Sequence, residues 1–227
     1  MLFRSMNKYS FSFEKYDKKE GIDIDDKIFP KHFLSLIIGK PGSGKTTLLK
    51  HIMSKILFKQ FDYVFLITPS PNEFTSFFLP KQNIKEEVDW EWIFNNIKNI
   101  NLNRKNKYTN VLFILDDIVS DVYKLKHSSE LRKFVYNRRH LLDNGMISII
   151  MTSQKFNDIP TCIRSTLSLL IMFRLNRIDC KIISEQIAFD KDEFEIKKSI
   201  TFNDKKEGMF MIYRIYDNKY FKQFEEI

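Results

Sequence analysis

One glycine-rich segment of this chain has the residue types and spacing of a phosphate-binding loop. The run Gly39-Lys40-Pro41-Gly42-Ser43-Gly44-Lys45-Thr46 fits the pattern G-x-x-x-x-G-K-[ST] without a mismatch and holds three of the six glycines. Glycines let the backbone wrap a phosphate chain so that successive N–H groups point inward. We expect Lys45 to reach the β- and γ-phosphates of ATP and the Thr46 hydroxyl to bind Mg²⁺. We include Thr47 among the residues that bind the nucleotide.

The elements on either side of this loop must position it. Residues 32–38 read as a buried strand, and a helix opens at Thr46 with one apolar face formed by Leu48, Leu49, Ile52 and Ile56. The N-terminus of that helix adds the positive end of its dipole to the phosphate site. A glycine turn before a helix, without a nucleotide, is the alternative interpretation. The flanking strand and helix favour nucleotide binding.

An acidic pair follows the third predicted strand, residues 111–115, which has no polar break. The strand ends in Asp116-Asp117, and a hydrophobic strand that delivers an acid at its carboxyl end is the Walker B arrangement. We expect Asp116 to hold the Mg²⁺ shell and Asp117 to point to the opposite side and activate the attacking water. An acidic loop start is the alternative. Two adjacent acids at a buried strand end are unfavourable, however, unless a cation or hydrogen bonds satisfy them.

A polar sequence, Thr152-Ser153-Gln154, follows the fourth predicted strand, residues 147–151. A side chain at the carboxyl end of a strand beside the Walker B strand can reach the γ-phosphate or its water, and Gln154 is the candidate that orients this water. A simple strand cap is the alternative for this glutamine. The order of loop, intervening strand, acidic pair and polar sensor favours the ATPase branch with an additional strand.

Other classes of phosphate-binding protein remain as alternatives. A P-loop kinase that transfers phosphate to a nucleotide or another small acceptor often has a loop that begins like Gly39-Lys40-Pro41-Gly42. Such a kinase normally adds an arginine-rich lid and an acceptor-base site, and the sequence shows no convincing lid. A regulatory nucleotide-binding module with little turnover is a third interpretation. The chain has no Leu-Ser-Gly-Gly-Gln stretch, which argues against a transporter-type ATPase.

Strands and helices alternate along the chain, which favours an α/β fold with a mainly parallel, doubly wound sheet and helices on both faces. Further strands are predicted at residues 62–67, 167–175 and 208–215, and further helices at 88–97, 129–142 and 178–188. Residues 1–31 read as an N-terminal extension with an edge strand around Tyr9, Phe11 and Phe13. Residues 32–227 read as one P-loop ATPase domain.

The composition is that of a single domain. The 227 residues are 43% hydrophobic and include 22 Phe, enough for one core. No run approaches the roughly 20 apolar residues of a membrane span, and the polar N-terminal region has no signal peptide. Cys162 and Cys180 lack metal-ligand spacing and are expected to be reduced and buried. The net charge of +8 is compatible with a nucleic acid partner, although a lysine-rich compositional bias also produces such a charge.

Five stretches outside the phosphate-binding loop carry a resemblance to a known family. They are Thr68-Pro69, Phe113-Ile114-Leu115-Asp116-Asp117, Asn137-Arg138-Arg139-His140-Leu141, Ile149-Ile150-Met151-Thr152-Ser153-Gln154, and Ile159-Pro160-Thr161-Cys162-Ile163-Arg164-Ser165 with the apolar strand after it. In these stretches the chain resembles the poxvirus-type DNA-packaging ATPases of the FtsK–HerA superfamily, which occur in large double-stranded DNA viruses and their satellites. The resemblance covers about residues 32–190.

This resemblance implies a motor that uses ATP to drive duplex DNA into a capsid and that forms a homo-oligomeric ring of five or six copies. It implies that Lys45 and Thr46 bind the nucleotide. It also implies that Asp116 binds the metal, that Asp117 is the general base and that Gln154 is the sensor. At position 117 the aspartate has a shorter reach than a glutamate base.

The resemblance also implies an arginine that reaches the γ-phosphate of the neighbouring subunit, where a guanidinium stabilises developing charge. Arg139 and Arg164 are the candidates, and Arg138 is the third. Arg139 precedes Gln154 by fifteen positions, about one helical turn more than we expect of the family. Residues 141–144 look like the extra material.

A motor that moves any sequence needs contacts with DNA phosphates and no base readout. Three basic stretches, residues 104–107, 124–126 and 205–206, are candidates, and each also reads as a solvated loop. The expected partners are double-stranded DNA and a capsid portal or membrane-associated capsid proteins. The expected location is the host cytoplasm, in the viral factory, or the virion.

Overall fold

The computed structural model describes residues 28–30, 32–55, 60–77, 79–104, 107–118, 128–203 and 206–227. The predicted edge strand around Tyr9 lies outside these residues. So do Ile56, the basic stretch 124–126 and parts of the other two basic stretches. Ile28 and Phe29, inside the predicted N-terminal extension, are buried in the core. The division of the chain after residue 31 stays a prediction.

Nine described strands form one sheet in the order β3-β2-β4-β5-β1-β6-β7-β8-β9. Their bounds are β1 Leu34–Ile38, β2 Tyr63–Ile67, β3 Ile84–Lys85, β4 Thr109–Leu115, β5 Gly145–Ser153, β6 Leu169–Phe173, β7 Phe210–Arg214, β8 Lys219–Lys222 and β9 Glu225–Glu226. The first six strands pair in parallel, and β7 to β9 add an antiparallel edge next to β6. The predicted mainly parallel sheet is confirmed. The additional strand of the ATPase branch is β5, which lies between β1 and β4.

Six described helices follow the strands. They are α1 Lys45–Lys55, α2 Trp90–Asn103, α3 Ser129–Asn137, α4 Thr161–Arg164, α5 Arg177–Gln186 and α6 Lys191–Phe202, with 3₁₀ turns at Pro71–Phe77, Lys81–Asn83 and Ile215–Asp217. Side chains alternate across the strands, so β4 sends Val111, Phe113 and Leu115 to one face and Leu112 and Ile114 to the other. The first face packs on α2 to α6 and the second on α1. Helices on both faces are therefore confirmed.

The predicted helix at 129–142 is too long, because α3 ends at Asn137. Beyond the end of α3, the side chain of Asn101 in α2 makes two hydrogen bonds with the backbone, both at 3.0 Å. Its Nδ2 donates to the carbonyl of Leu141, and its Oδ1 accepts from the N–H of Asp143. These bonds hold residues 141–143 in turns. Leu142 is nevertheless buried, which explains why the apolar pattern continued past the helix end.

The C-terminal region differs most from the sequence interpretation. Helix α6 and the strands β8 and β9 were not predicted, and β7 runs antiparallel to β6. Asp190 caps α6 by accepting hydrogen bonds from the N–H groups of Asp192 and Glu193. Only Phe194 and Thr201 of this helix are fully buried, so its apolar periodicity is weak. Among the described residues, no helix combines the length and apolarity that crossing a bilayer requires.

Candidate nucleotide-binding site

The phosphate-binding loop connects the end of β1 with the start of α1 at the carboxyl edge of the parallel strands. Gly42 and Gly44 have φ values of 74° and 96°, in the left-handed region that favours glycine. Gly39 is required for another reason. A Cβ atom there would lie 2.4 Å from Ser43 Oγ and 2.9 Å from Phe173 Cβ, so the loop packs too closely on the end of β6 for any side chain.

Lys45 lies at the centre of this loop and is only 8% exposed. Its ammonium group donates hydrogen bonds to the carbonyls of Gly39 and Lys40, at 2.9 and 3.0 Å. Burial lowers the pKa of Lys45, and the charges of Asp117 and Asp116 oppose this effect. The ammonium thus rests on loop carbonyls beside two carboxylates, where an incoming phosphate would give it a stronger, charge-assisted partner.

Asp116 is the buried acid of the site, at 3% exposure, just beyond the end of β4. Thr152 donates a hydrogen bond to its Oδ1 at 2.8 Å, and Thr68 lies 3.5 Å from its Oδ2. Burial raises the pKa of Asp116 above its usual range. The hydrogen bond from Thr152 partly opposes that shift, and the charge of Asp117 adds to it. The carboxylate is therefore poorly solvated and would be stabilised by a cation.

Asp117 and Gln154 meet at the exposed rim of the same site. Gln154 Nε2 donates a hydrogen bond to Asp117 Oδ1 at 3.2 Å, and the Asp117 N–H donates to Thr152 Oγ1 at 2.8 Å. The backbone of Asp117 is left-handed, with a φ of 49°. Because of this turn the strand alternation does not continue through Asp117. The charges of Asp117 and Asp116 both act on Lys45, so the two acids lie near the loop lysine, and the expected orientation of Asp117 to the opposite side stays a prediction.

The residues of this site fit a magnesium ion that they would share with the phosphates of a bound nucleotide, and they do not form a set of protein ligands sufficient to hold a metal alone. Within the described part of the chain, no three His, Cys, Asp or Glu side chains cluster as a set of metal ligands. Mg²⁺ is commonly held by one or two carboxylates together with the phosphates of a nucleotide. Asp116 is a buried carboxylate, and Thr46 is half-buried in the first turn of α1. These are the residues that would hold the ion.

The three candidate arginines do not join this group. Arg138 and Arg139 precede β5, and nine strand residues, roughly 30 Å, separate them from Gln154 at the opposite edge of the sheet. Arg138 is buried, and its Nη1 donates to the carbonyl of Val135 at the end of α3, while Arg139 is exposed. Burial and the nearby charge of Arg139 lower the pKa of Arg138.

Arg164 lies in α4, on the face of the sheet away from α1. It donates hydrogen bonds to Gln186 Oε1 at 2.6 Å and to Thr161 Oγ1 at 3.3 Å, and its guanidinium lies 5.8 Å from the centroid of the Phe156 ring. Nη1 and Nη2 are thus engaged within its own subunit, whereas the buried Nε has no hydrogen-bond partner among the described residues. Cys162, in the same helix, is buried with a pKa raised by burial, as is Cys180, which agrees with the expectation of buried free thiols.

Sequence reasoning missed two residues that hold the site together. Thr152 bonds both members of the acidic pair, yet it was read only as part of a polar strand end. Asp179, in the first turn of α5, is 3% exposed and accepts hydrogen bonds from the backbone N–H groups of Phe156 and Asn157. A polar residue inside an otherwise apolar strand was the available signal for Thr152. The sequence carries no comparable signal for Asp179.

In the parallel sheet, β5 lies between the strand that leads into the loop, β1, and the Walker B strand, β4. An acid and a glutamine lie beside the phosphate-binding loop. Together these features define a P-loop ATPase fold of the additional-strand class. The Poxvirus A32 protein family matches residues 24–226. The chain belongs to this family, and the resemblance read from the sequence is confirmed.

Similar solved structures share this fold. The genome packaging NTPase B204 of Sulfolobus turreted icosahedral virus 2, in complex with AMP, is 17% identical, with a TM-score of 0.62 over 86% of this chain and 98% of its own. The DNA-packaging ATPase B204 of Sulfolobus turreted icosahedral virus is 21% identical, with a TM-score of 0.60 over 83% and 95%. The conjugation coupling protein TcpA of pCW3 is 14% identical, with a TM-score of 0.55 over 85% and 60%. No curated protein sequence matches the chain significantly.

Proposed function

We propose that this protein is an ATP-hydrolysing motor that translocates double-stranded DNA and packages a viral genome into a capsid. The observation that carries the proposal is the contact between Gln154 and Asp117 beside the buried Asp116, at the edge where the phosphate-binding loop lies. This arrangement suits a site that directs a water molecule onto a phosphate. Membership of the poxvirus family and the likeness in fold to two packaging ATPases support the biological role.

The chemistry follows from the positions of the side chains. Lys45 leaves the loop carbonyls and neutralises charge on the β- and γ-phosphates. Thr46 and Asp116 would hold a magnesium ion bound with ATP, which would supply positive charge beside the phosphates. Asp117, at the rim, accepts the proton of the attacking water, and Gln154 holds that water in line. The bond between Gln154 and Asp117 fixes the two groups relative to each other before the nucleotide arrives.

The arginine that completes the site comes, in this proposal, from a neighbouring subunit. Arg139 is exposed at the amino edge of the sheet, so it cannot reach its own nucleotide but can be presented to another copy. Arg138 donates a hydrogen bond to the Val135 carbonyl at the end of α3, and Arg164 donates one to Gln186 of its own subunit. Arg139 is therefore the candidate that this geometry favours. A homo-oligomeric ring of five or six copies would place one subunit's arginine beside the next subunit's ATP.

The remaining parts of the proposal concern partners and location. The net charge of +8 suits a protein that contacts the DNA backbone. A capsid portal or membrane-associated capsid proteins would anchor the ring, and the host cytoplasm, where viral factories form, or the virion would be its location. Packaging requires such an anchor because a motor moves DNA relative to the capsid only if it is attached to it.

The test is steady-state ATP hydrolysis by the full chain with Mg²⁺, with and without long duplex DNA, over a range of protein concentrations. We expect DNA to stimulate hydrolysis, with a steep dependence on protein concentration because the arginine acts between subunits. Asp117→Asn should still bind ATP but hydrolyse it about 10²–10⁴-fold more slowly, the usual contribution of a general base. Arg139→Ala should lose the dependence on protein concentration together with most of the activity.

Three outcomes would contradict the proposal. Hydrolysis that is indifferent to DNA at low salt, by assembled protein, would exclude a translocase. Phosphate transferred to an added nucleoside monophosphate would point to a kinase. Wild-type turnover no faster than that of Asp117→Asn would leave a regulatory nucleotide-binding module.

A further inference from the structure

A basic groove of about 760 Å³ lies between α5 and α6, beyond the end of β6. Arg174, Arg177 and Lys181 line it from the α5 side, and Lys198 lines it from α6. Among the lining residues that the structure describes, four are cationic and one, Glu195, is acidic, which gives this set a net charge of +3. The phosphate-binding loop is close by, because Phe173, next to Arg174, contacts Gly39 and Gly44.

Two of the cations form a short row on one face of α5. Arg177 and Lys181 are one turn apart on the same side of the helix and are exposed. Arg174 donates a hydrogen bond to the carbonyl of Phe202 and lies 5.9 Å from the centroid of its ring, which joins the start of α5 to the end of α6. At 1.5 Å per residue, Arg177 and Lys181 lie roughly 6 Å apart along the helix, so each can contact its own phosphate of one DNA strand.

Two described acids, Glu185 and Glu195, lie close to the lysines of the groove. Glu185 lies 3.9 Å from the Lys181 ammonium, and both side chains are exposed, so this pair is weak and a phosphate can displace it. Glu195 is paired with Lys198. A row of cations on a helix face suits an extended polyanion better than a single small anion. It also needs no contact with the bases, as a motor that moves any sequence requires.

The opposite side of the same helical turn reaches the catalytic site. Asp179 lies between Arg177 and Lys181 in sequence, but it is buried and holds the N–H groups of Phe156 and Asn157, at 3.1 and 3.4 Å. Phe156 lies just after Gln154. Asn176 Nδ2 also donates to the Asp179 carboxylate, at 2.7 Å. A displacement of α5 would therefore be transmitted to the segment that carries Gln154.

We propose that the α5–α6 groove binds the phosphodiester backbone of DNA and that α5, through Asp179, couples this binding to the position of Gln154. The proposal rests on the proposed function and adds the surface that contacts DNA and the route by which DNA alters hydrolysis. The described residues that line this groove do not belong to the basic stretches picked out from the sequence. Its cations are spread over a strand end and two helices, and only the fold brings them together.

The first experiment compares binding of a labelled duplex by the full chain and by Arg177→Ala/Lys181→Ala, using fluorescence anisotropy from about 50 to 200 mM salt. Each phosphate contact adds about 0.9 to the slope of log affinity against log salt, so the variant should lower the slope by about 1.8. Its affinity should also fall several-fold at the lowest salt. Lys81→Ala/Lys98→Ala is the matched control, because it removes two exposed cations near the β3 edge and the same net charge.

The control should keep the wild-type slope. If Arg177→Ala/Lys181→Ala also keeps it, or if both double variants lose the same slope, the groove is not the DNA surface and the proposal is overturned. This result differs from failure of the proposed function, in which the wild-type protein itself would hydrolyse ATP without regard to DNA. Competition by inorganic polyphosphate but not by duplex DNA would likewise overturn the assignment of DNA as the ligand.

The second experiment tests the coupling by measuring DNA-stimulated ATP hydrolysis of Asp179→Asn. This change keeps the size of the side chain but weakens the bonds to Phe156 and Asn157. We expect DNA affinity and the KM for ATP to stay within about two-fold of wild type, while stimulation of kcat by DNA is lost. Asn176→Ser, at an exposed cap position, should reduce stimulation less and serves as the second variant if Asp179→Asn folds poorly. Full stimulation in the folded variants would refute the coupling.

Discussion

Asp116 is the residue at which the stability and the function of this protein should be in direct opposition. Burial raises the pKa of its carboxyl group, because the charged form is poorly solvated in the folded protein. The folded state then binds the proton more tightly than the unfolded chain does. Folding stability therefore falls as the pH rises from the pKa of the unfolded state, near 3.8, through the raised pKa of the folded state. Above the folded-state pKa the loss of stability is complete. Asp116→Asn removes this loss, because an amide carries no charge.

The variant should be more stable than wild type at pH 7 in the absence of nucleotide. The amide oxygen still accepts the hydrogen bond from Thr152, so the main native contact is kept. We expect a gain of about 1–2 kcal/mol, in the range of substitutions that relieve an unfavourable functional group. For a domain of this size that corresponds to about 2–8 °C in Tm. The gain should shrink as the pH is lowered towards 4.

With magnesium and a non-hydrolysable ATP analogue present, the wild-type protein should be more stable than Asp116→Asn. Ligand at about 100 times its Kd stabilises the folded state by about 2.7 kcal/mol, and the wild-type protein should show this gain in full. Asp116→Asn should gain much less from the magnesium complex, because the buried carboxylate that would hold the ion is gone. Thermal melts at several pH values, with and without ligand, measure both effects. Asp143→Asn, an exposed aspartate far from the site, is the control for loss of charge.

A result in which Asp116→Asn is less stable than wild type at pH 7 without ligand would refute this reasoning. It would mean that Thr152, Thr68 and the nearby ammonium of Lys45 together stabilise the carboxylate more than burial destabilises it. A stability difference that does not change with pH would also refute it, because the predicted effect arises from proton binding alone.

The other predictions concern the loop and the threonine between the two acids. Lys45→Ala should abolish hydrolysis and weaken ATP binding, measured by titration with a fluorescent analogue, while leaving the fold intact in melts. Gly39→Ala should destabilise the protein by about 1–3 kcal/mol in urea unfolding, because the new Cβ meets Ser43 and Phe173. In Gly42→Ala the new Cβ meets no atom within 4 Å, so this variant should lose only about 1–2 kcal/mol, owing to its left-handed backbone. Thr152→Val should lower the free energy of unfolding by about 1–3 kcal/mol, because the Asp117 N–H loses its hydrogen-bond acceptor. It should also lower kcat more than it changes KM. An unchanged kcat would mean that this hydroxyl does not support the catalytic pair.

The parts of the fold that could be predicted are those whose signal is local. The strands β1, β4 and β5 are largely apolar because both of their faces are covered, and a residue of the site, Gly39, Asp116 or Gln154, directly follows the end of each. The loop is recognisable because its glycines and lysine are contiguous. The structure brings Lys45, Asp116, Asp117 and Gln154 close together because parallel strands deliver their ends to one edge, and the roles assigned to them stay predictions.

The parts that were missed depend on contacts between distant segments or on weak periodicity. The end of α3 is set by Asn101, some forty residues earlier, and no pattern within the helix records that contact. Helix α6 has few buried side chains, although Asp190 followed by Glu193 is an N-terminal capping signal that was present in the sequence. The left-handed turn at Asp117 also could not be read from residue types, because aspartate adopts it only when its surroundings stabilise it.

Thr152 shows why the insertion of β5 between β1 and β4 matters for the chemistry. Its hydroxyl donates to the Asp116 carboxylate and accepts from the Asp117 N–H, so one side chain on β5 holds both acids of β4. The same strand ends at Ser153, whose carbonyl accepts the N–H of Gly39 at the start of the phosphate-binding loop. Gln154, which follows, is thus tied to the loop on one side and to Asp117 on the other. A shift in the segment after Gln154, such as α5 could impose through Asp179, would therefore change the distance between the water-directing pair and the bound phosphates, and it is this distance that determines whether hydrolysis can proceed.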